Sequence, residues 1–250
     1  MLPDEVPGQE TDSGCGKLYI HQTTGDAASW RHSPSLTMPG STIVFGTYPQ
    51  TAEGTDDTPI EWIVLEYDEA NHRVLLLSKY GLDAVQYNPR ITDITWEECA
   101  LRAWLNGEFL GEAFSEEEQS AILTTEVDNG AGQGNCDWET TGGNNTQDRI
   151  FLLSAAEANL YLGVAADDKG NAEARAATTA YAAARGAWTS DSKQTADGKP
   201  AGWWWLRSPG ESQHYAALVF GDGSLDYAGV HSDYGVVRPA LWVDADAGPF

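Results

Sequence analysis

Hydrophobic and polar positions fall into clear periods only from Ile43 onward. Ile43-Val44-Phe45-Gly46-Thr47-Tyr48-Pro49 predicts a strand stopped by proline. Ile60 to Tyr67 and Arg73 to Tyr80 are β-rich runs on either side of Asp68-Glu69-Ala70-Asn71-His72, which predicts a hairpin. Helix starts are then written in capping boxes. Thr95-Trp96-Glu97-Glu98 opens a helix expected to stop at Asn106-Gly107, with Cys99 inside it as a small core residue. Ser115-Glu116-Glu117-Glu118 opens a second, and Ser154-Ala155-Ala156-Glu157 a third, directly after an expected strand at Ile150-Phe151-Leu152-Leu153. A short helix is expected near Thr178 to Arg185. The last fifty residues return to strands. Trp203-Trp204-Trp205-Leu206 is followed by a hairpin of Tyr215 to Phe220 and Leu225 to Val230 about Gly221-Asp222-Gly223. Val236 to Val243 then reads as one closing strand, which Pro239 places at an edge or a bulge. Strands, then helices, then strands predict an α+β fold rather than a βαβ series.

Two polar stretches, Asp128 to Asp148 and Val164 to Lys199, interrupt these elements. They read as scaffolding or disorder. Residues 1–16 are rich in Pro, Gly and acids and read as a tail. The expected organisation is therefore a partly ordered extension over 1–40 and one domain over 41–250. With 250 residues, 41% of them hydrophobic, and ten tryptophans, such a domain can fill a sizeable core.

Charge narrows the function. The net charge of −24 repels phosphate backbones and anionic lipid, so neither nucleic acid nor a membrane surface is an expected partner. No apolar run reaches the ~18 residues of a membrane span. Cys15, Cys99 and Cys136 form neither a disulfide framework nor a Cys-x-x-Cys site. As it stands the N-terminus lacks the apolar region of a signal peptide, which suggests the cytoplasm unless the protein is displayed on a virion or cell surface.

The motifs of hydrolases, P-loop proteins, dinucleotide-binding folds and zinc proteases are missing, and no cofactor is expected. The reading is a non-enzymatic binding protein. His214 and His231 could meet across the second hairpin and, with Asp222 or Asp233, hold a metal, but binding-surface side chains are the preferred account. Pro209 to Gly235 holds five glycines, three tyrosines, three serines, three aspartates and two histidines, without lysine or arginine. That mixture is paratope-like: tyrosine supplies a rigid contact face at low entropic cost, and Ser, Gly and Asp supply adaptable hydrogen bonds. The plainer alternative is an edge hairpin whose aromatics pack on the core. Aromatic strands on both sides supply a rigid frame. Arg207 and Arg238 are expected to pair with buried carboxylates or carbonyls.

Several runs resemble one family in order: Phe45-Gly46-Thr47-Tyr48-Pro49-Gln50, Ile60-Glu61-Trp62, Leu76-Leu77-Ser78-Lys79-Tyr80-Gly81-Leu82, Leu101-Arg102-Ala103-Trp104-Leu105-Asn106, Phe151-Leu152-Leu153-Ser154, Trp204 to Gly210, and Val237-Arg238-Pro239-Ala240-Leu241. Together, from about Ile43 to Val243, they are similar to the DUF6273 family. The resemblance extends to the variable proteins of diversity-generating retroelements. It implies a C-type lectin-like fold with antiparallel sheets, two to four helices and long loops, and a variable region of about 203–243. Rewriting asparagine codons at adenines can yield Ser, His, Tyr, Leu, Phe and Asp. The implied ligand-binding residues are Ser212, His214, Tyr215, Leu218, Phe220, Asp226, Tyr227, His231, Ser232, Asp233 and Tyr234, with Gly210, Ala216, Ala217, Val219, Gly223, Gly229, Val230 and Gly235 as fixed frame. Glu211 is not reachable from such codons, and no asparagine remains from Gly210 to Phe250. The implied partner is a protein or cell-surface ligand, in a phage, viral or prokaryotic display setting. The short Ca²⁺-binding motifs of sugar-binding lectins are missing, and the cysteines do not form the reactive pair of formylglycine-generating enzymes. A metal-dependent or formylglycine-generating-like enzyme on this fold, and an undiversified structural domain, are the alternatives.

Overall fold

The computed structural model describes residues 36–134, 138–164 and 170–247. Apart from 36–40, the expected tail lies outside them, and Leu36 within that margin is already buried in the core. In chain order the strands are β1 (Thr42–Thr47), β2 (Pro59–Asp68), β3 (Arg73–Ser78), β4 (Tyr80–Gly81), β5 (Asp83–Ala84), β6 (Thr125–Val127), β7 (Thr146–Asp148), β8 (Ala176–Thr178), β9 (Thr189–Gln194), β10 (Pro200–Gly202), β11 (Trp204–Pro209), β12 (Tyr215–Val219), β13 (Leu225–Gly229), β14 (Val236–Val237) and β15 (Ala240–Asp244). The helices are α1 (Ala100–Trp104), α2 (Leu110–Ala113), α3 (Glu116–Ala121), α4 (Ala155–Leu162) and α5 (Ala180–Ala184). A π turn at Leu105–Phe109 joins α1 to α2, leaving four helical segments besides short 3-10 turns among the described residues. The fold is α+β.

Three sheets carry the core, with orders β1-β2-β3-β15, β4-β8-β10-β9 and β13-β12-β11-β14-β5, and β6 pairs β7 separately. Pairing is antiparallel except for β4 with β8 and β11 with β14. One strap stitches the three together. Residues 73–84 pass through all of them as β3, β4 and β5, and the C-terminal residues run back beside this segment. Val236 pairs with Ala84, Val237 with Asp83, and Ala240 to Asp244 with Leu77 to Arg73. The expected single strand from Val236 to Val243 is therefore two strands in two sheets. The change falls at Arg238-Pro239, where the missing N–H costs no ladder bond and the Pro239 carbonyl accepts from the Ser78 N–H at 2.9 Å.

Local signals that need no partner formed as written. Ser115 with Glu118 and Ser154 with Glu157 are reciprocal capping boxes. The hairpin about Asp68 to Arg73, the helix after Thr179 and the hairpin of β12 and β13 formed as well. Three expectations need correction. Thr95 makes no side-chain cap; residues 96–98 form a 3-10 turn and Cys99, at the helix N-cap rather than inside it, accepts from the Arg102 N–H. Trp96 decides this. Its buried ring donates to Asp148 at 2.9 Å, which holds the first turn off helical geometry. Nor does the chain stop at Asn106-Gly107. Leu105, Phe109 and Leu110 are all buried, and Asn106 accepts from the Arg149 and Ile150 N–H groups while donating to the Ile150 carbonyl. Burial of that apolar face, at ~1.5–3 kcal/mol per Leu or Phe, outweighs the roughly 1 kcal/mol cost of one helical glycine. Ile150 to Leu153 is buried throughout but joins no sheet; it is an extended wedge tied by a bridge from Phe151 to Ala240 and by the Arg207 N–H to the Leu153 carbonyl.

Candidate ligand-binding surface

The hairpin of β12 and β13 stands on a tryptophan platform. Trp204 and Trp205 are fully buried, and Trp203 meets Trp205 edge-on with centroids 4.8 Å apart. Each buried indole N–H has an acceptor, the Ala174 carbonyl for Trp204 and the Val85 carbonyl for Trp205, both at 3.1 Å. Tyr87 packs on Trp96 and Trp205 and donates to the Arg207 carbonyl at 2.9 Å. Donors satisfied in this way let large rings be buried without an unpaired polar group.

Arg207 leaves β11 to fasten the loop beside the platform. It is buried and donates from Nε to Asn129, from Nη1 to the Leu152 carbonyl and Glu157, and from Nη2 to the Asp128 carbonyl and Glu157. The shallow cleft alongside, lined by Asn129, Gln133, Thr140, Gly142 and Ser208, offers a ligand little. Ser208 Oγ already donates to the Gln133 carbonyl and accepts from the Ala155 N–H, and the guanidinium is fully engaged.

On this frame the implied ligand-binding positions separate by depth. His231, Asp226, Asp233, Phe220 and Tyr234 are exposed; Ser212, His214, Tyr215, Tyr227 and Ser232 are half-buried. Leu218 is a correction. It is 3% exposed, because it pairs with Trp205 on one side and Asp226 on the other, inside a strand covered on both faces. Ala216, Ala217, Val219, Val230 and Val236 are buried with it.

The aromatic positions form two clusters. In the first, ring centroids run from His214 to Tyr215 at 4.4 Å, from Tyr215 to Tyr227 at 5.2 Å and from Tyr227 to Trp138 at 5.2 Å. Gly210 lies between the two tyrosine stems. A β-carbon there would sit 2.7 Å from Tyr215 Cβ and 2.8 Å from Tyr227 Cβ, so the close approach requires glycine. Tyr227 donates its hydroxyl to Glu211, whose carboxylate holds the phenol above its ordinary range. In the second, Phe220 stacks on Trp188 at 5.2 Å, and the Trp188 N–H donates to the Tyr234 carbonyl. The turn between β12 and β13 is fixed by Gly223, at φ +89, where a β-carbon would lie 1.8 Å from the Asn171 carbonyl oxygen. Strand alternation separates the clusters: Tyr215 and Tyr227 share a face, while Leu218 and Asp226 take the other.

Trp138, Trp188, Glu211 and Asp93 belong to this surface and were missed as site residues in the sequence. Their signal was isolation, since each tryptophan stands alone in a polar stretch with no apolar period to bury it. His214 Nδ1 lies 3.8 Å from Asp93, and His231 presents its carbonyl to Gln86. Among the described residues no three His, Cys, Asp or Glu side chains converge to hold a metal.

Cys15 and Cys136 lie outside the described residues; Cys99 is buried, and burial pushes its thiol up to about 12. Its expected behaviour is inertness. At about pH 8 iodoacetamide should leave Cys99 unmodified in the folded protein and label it once the chain is unfolded, as read by peptide mapping. Labelling of the folded protein at the rate of an open thiol would contradict this burial.

No curated relative and no solved structure matches the chain. Residues 71–245, more than two thirds of its length, match the family described as Domain of unknown function (DUF6273), and the chain belongs to that family.

Proposed function

We propose that this protein is a non-enzymatic binding protein of the retroelement-diversified type, built on a C-type lectin-like fold. It would hold a protein or cell-surface ligand through the hairpin of β12 and β13 and the turn that follows. The carrying observation is the division by depth. Ten of the eleven implied variable residues lie at or near the surface, while the residues implied to be fixed, Ala216, Ala217, Val219 and Val230, are buried on the tryptophan platform. Side chains placed so can be exchanged without emptying the core. The fold reading is supported by β1 and β15, the first and last strands described, falling in one antiparallel sheet.

The test is replacement of Tyr215, Phe220, Tyr227 and Tyr234 together by alanine. Peptides enriched from a random display library on the native protein should fail to bind the variant. Its Tm should fall by less than about 5 °C, because exposed aromatics anchor interfaces more than they support the fold. Peptides that bind both forms equally, or collapse of the variant, would remove the reading. The genomic counterpart is a neighbouring reverse transcriptase gene with a second copy of this 3′ segment differing at adenines.

A further inference from the structure

The first aromatic cluster also carries a statement about what it binds, one that rests on the proposed binding function. Trp138 stands at 88° to Tyr227, and Tyr215 at 49° to it. Rings set at such angles present π faces in more than one direction, and a cation can lie against such a face. The charges around them have one dominant sign. Loops 86–95, 138–143 and 210–214 carry Asp93, Glu139 and Glu211 against a single Arg90. All three carboxylates belong to exposed residues, and Asp93 lies 3.8 Å from His214 Nδ1. Glu211 is tied into the cluster itself, since it accepts the Tyr227 hydroxyl while its carbonyl accepts from Thr140 Oγ1 at 2.9 Å. A neutral apolar ligand would gain nothing from the carboxylates, and an acidic one would be repelled by them and by the net charge of −24.

We propose that the row formed by Trp138, Tyr227, Tyr215 and His214, edged by Glu211, takes the lysine or arginine side chains of a basic peptide segment on a protein partner. The rings meet the cation's face and stem, and the carboxylates meet its N–H groups.

The test is a fluorescence-anisotropy titration, at roughly physiological salt, with a labelled peptide of alternating glycine and arginine and with its neutral citrulline counterpart. The arginine peptide should bind and the citrulline peptide should not. Tyr227→Ala and Glu211→Gln should each weaken binding about five- to twentyfold. Tyr227→Phe, which keeps the ring and changes packing least, should lose less than Tyr227→Ala. Glu116→Gln with Glu117→Gln, on α3 outside the row, should change it by less than about twofold. Equal weakening by the α3 pair would show that overall charge, and not this site, attracts the peptide. No binding by the native protein, or equal binding of both peptides, would overturn the proposal. Library peptides that depend on Tyr215 and Tyr227 yet lack lysine and arginine would also overturn it, while leaving the binding function standing. Absence of any surface-dependent peptide would remove both.

Discussion

Arg207→Met is expected to lower the free energy of unfolding by about 3–5 kcal/mol, among the largest losses for a single change in this chain. The size follows from what would be left behind. Glu157 would keep a carboxylate facing an apolar side chain, and Asn129 with the Asp128 and Leu152 carbonyls would each lose a donor. Methionine fills most of the volume, so the loss reports orphaned polar groups rather than a cavity. For a domain of this length, a Tm drop of roughly 10 °C should accompany it. The start of the loop at Asp128 and Asn129 should also become more open to proteolysis, since Arg207 ties it to β11 and α4 while Ser208 and Ser154 still hold Gln133. Urea unfolding followed by tryptophan fluorescence checks the first claim. A loss below about 1 kcal/mol would mean that these acceptors find other partners.

The other deeply buried arginine should behave in the opposite way. Arg238 is 1% exposed, donates from Nε to the Ser78 carbonyl at 2.8 Å and lies over Trp204 with its guanidinium carbon 4.8 Å from the ring centroid. Among the described residues Nη1 has no hydrogen-bond partner and no carboxylate pairs with the charge. Burial alone therefore pushes the guanidinium down to about 9. The sign follows directly. Above about pH 9, and up to the higher range where an unfolded arginine loses its proton, this group binds fewer protons in the native state than in the unfolded chain, so its own contribution to stability rises with pH, against the opposite contributions of the Cys99 thiol and the buried tyrosines. Below about 9 both states hold the proton, and the buried charge is a constant cost. Arg238→Met should thus leave stability at neutral pH unchanged or raise it by up to about 2 kcal/mol, and any such advantage over the native chain should shrink above pH 9. Urea midpoints of both proteins at neutral pH and at about pH 10 decide the matter. A loss greater than about 2 kcal/mol would show that the Ser78 bond and the Trp204 contact outweigh the desolvation.

The contrast between the two arginines marks the reach of sequence reading. Both were expected to be buried against carboxylates or carbonyls. Arg207 found both, and Arg238 found one carbonyl and a ring. Sequence identifies a buried cation by its aromatic neighbours in the chain, whereas its partners lie some 50 to 160 residues away. The same distinction separates the capping boxes. Ser115 and Ser154 succeed because the capping bonds stay within one turn. Thr95 fails because Trp96 is claimed by Asp148, 52 residues along.

At the candidate surface, the hairpin and its turn were legible because turn glycines act over a few residues, whereas the outward positions were given by the family resemblance and not by alternation. The burial of Leu218 was not legible, since only the placement of Trp205 beside it shows that both faces of β12 are covered. Trp138 and Trp188 were not, because an isolated aromatic in a polar stretch has no period until something packs on it.

By itself the sequence determined the α+β order of elements, two helix starts, two hairpins, the net acidity and the aromatic, lysine-free character of the last hairpin. All of these depend on neighbours along the chain or on composition. Tertiary structure alone decided where the closing strand changes sheet, that a helix runs through Gly107, which arginine is paired, and that the surface aromatics divide into two clusters. Those outcomes depend on burial and on hydrogen bonds between distant segments, whose energies exceed the local preferences they override.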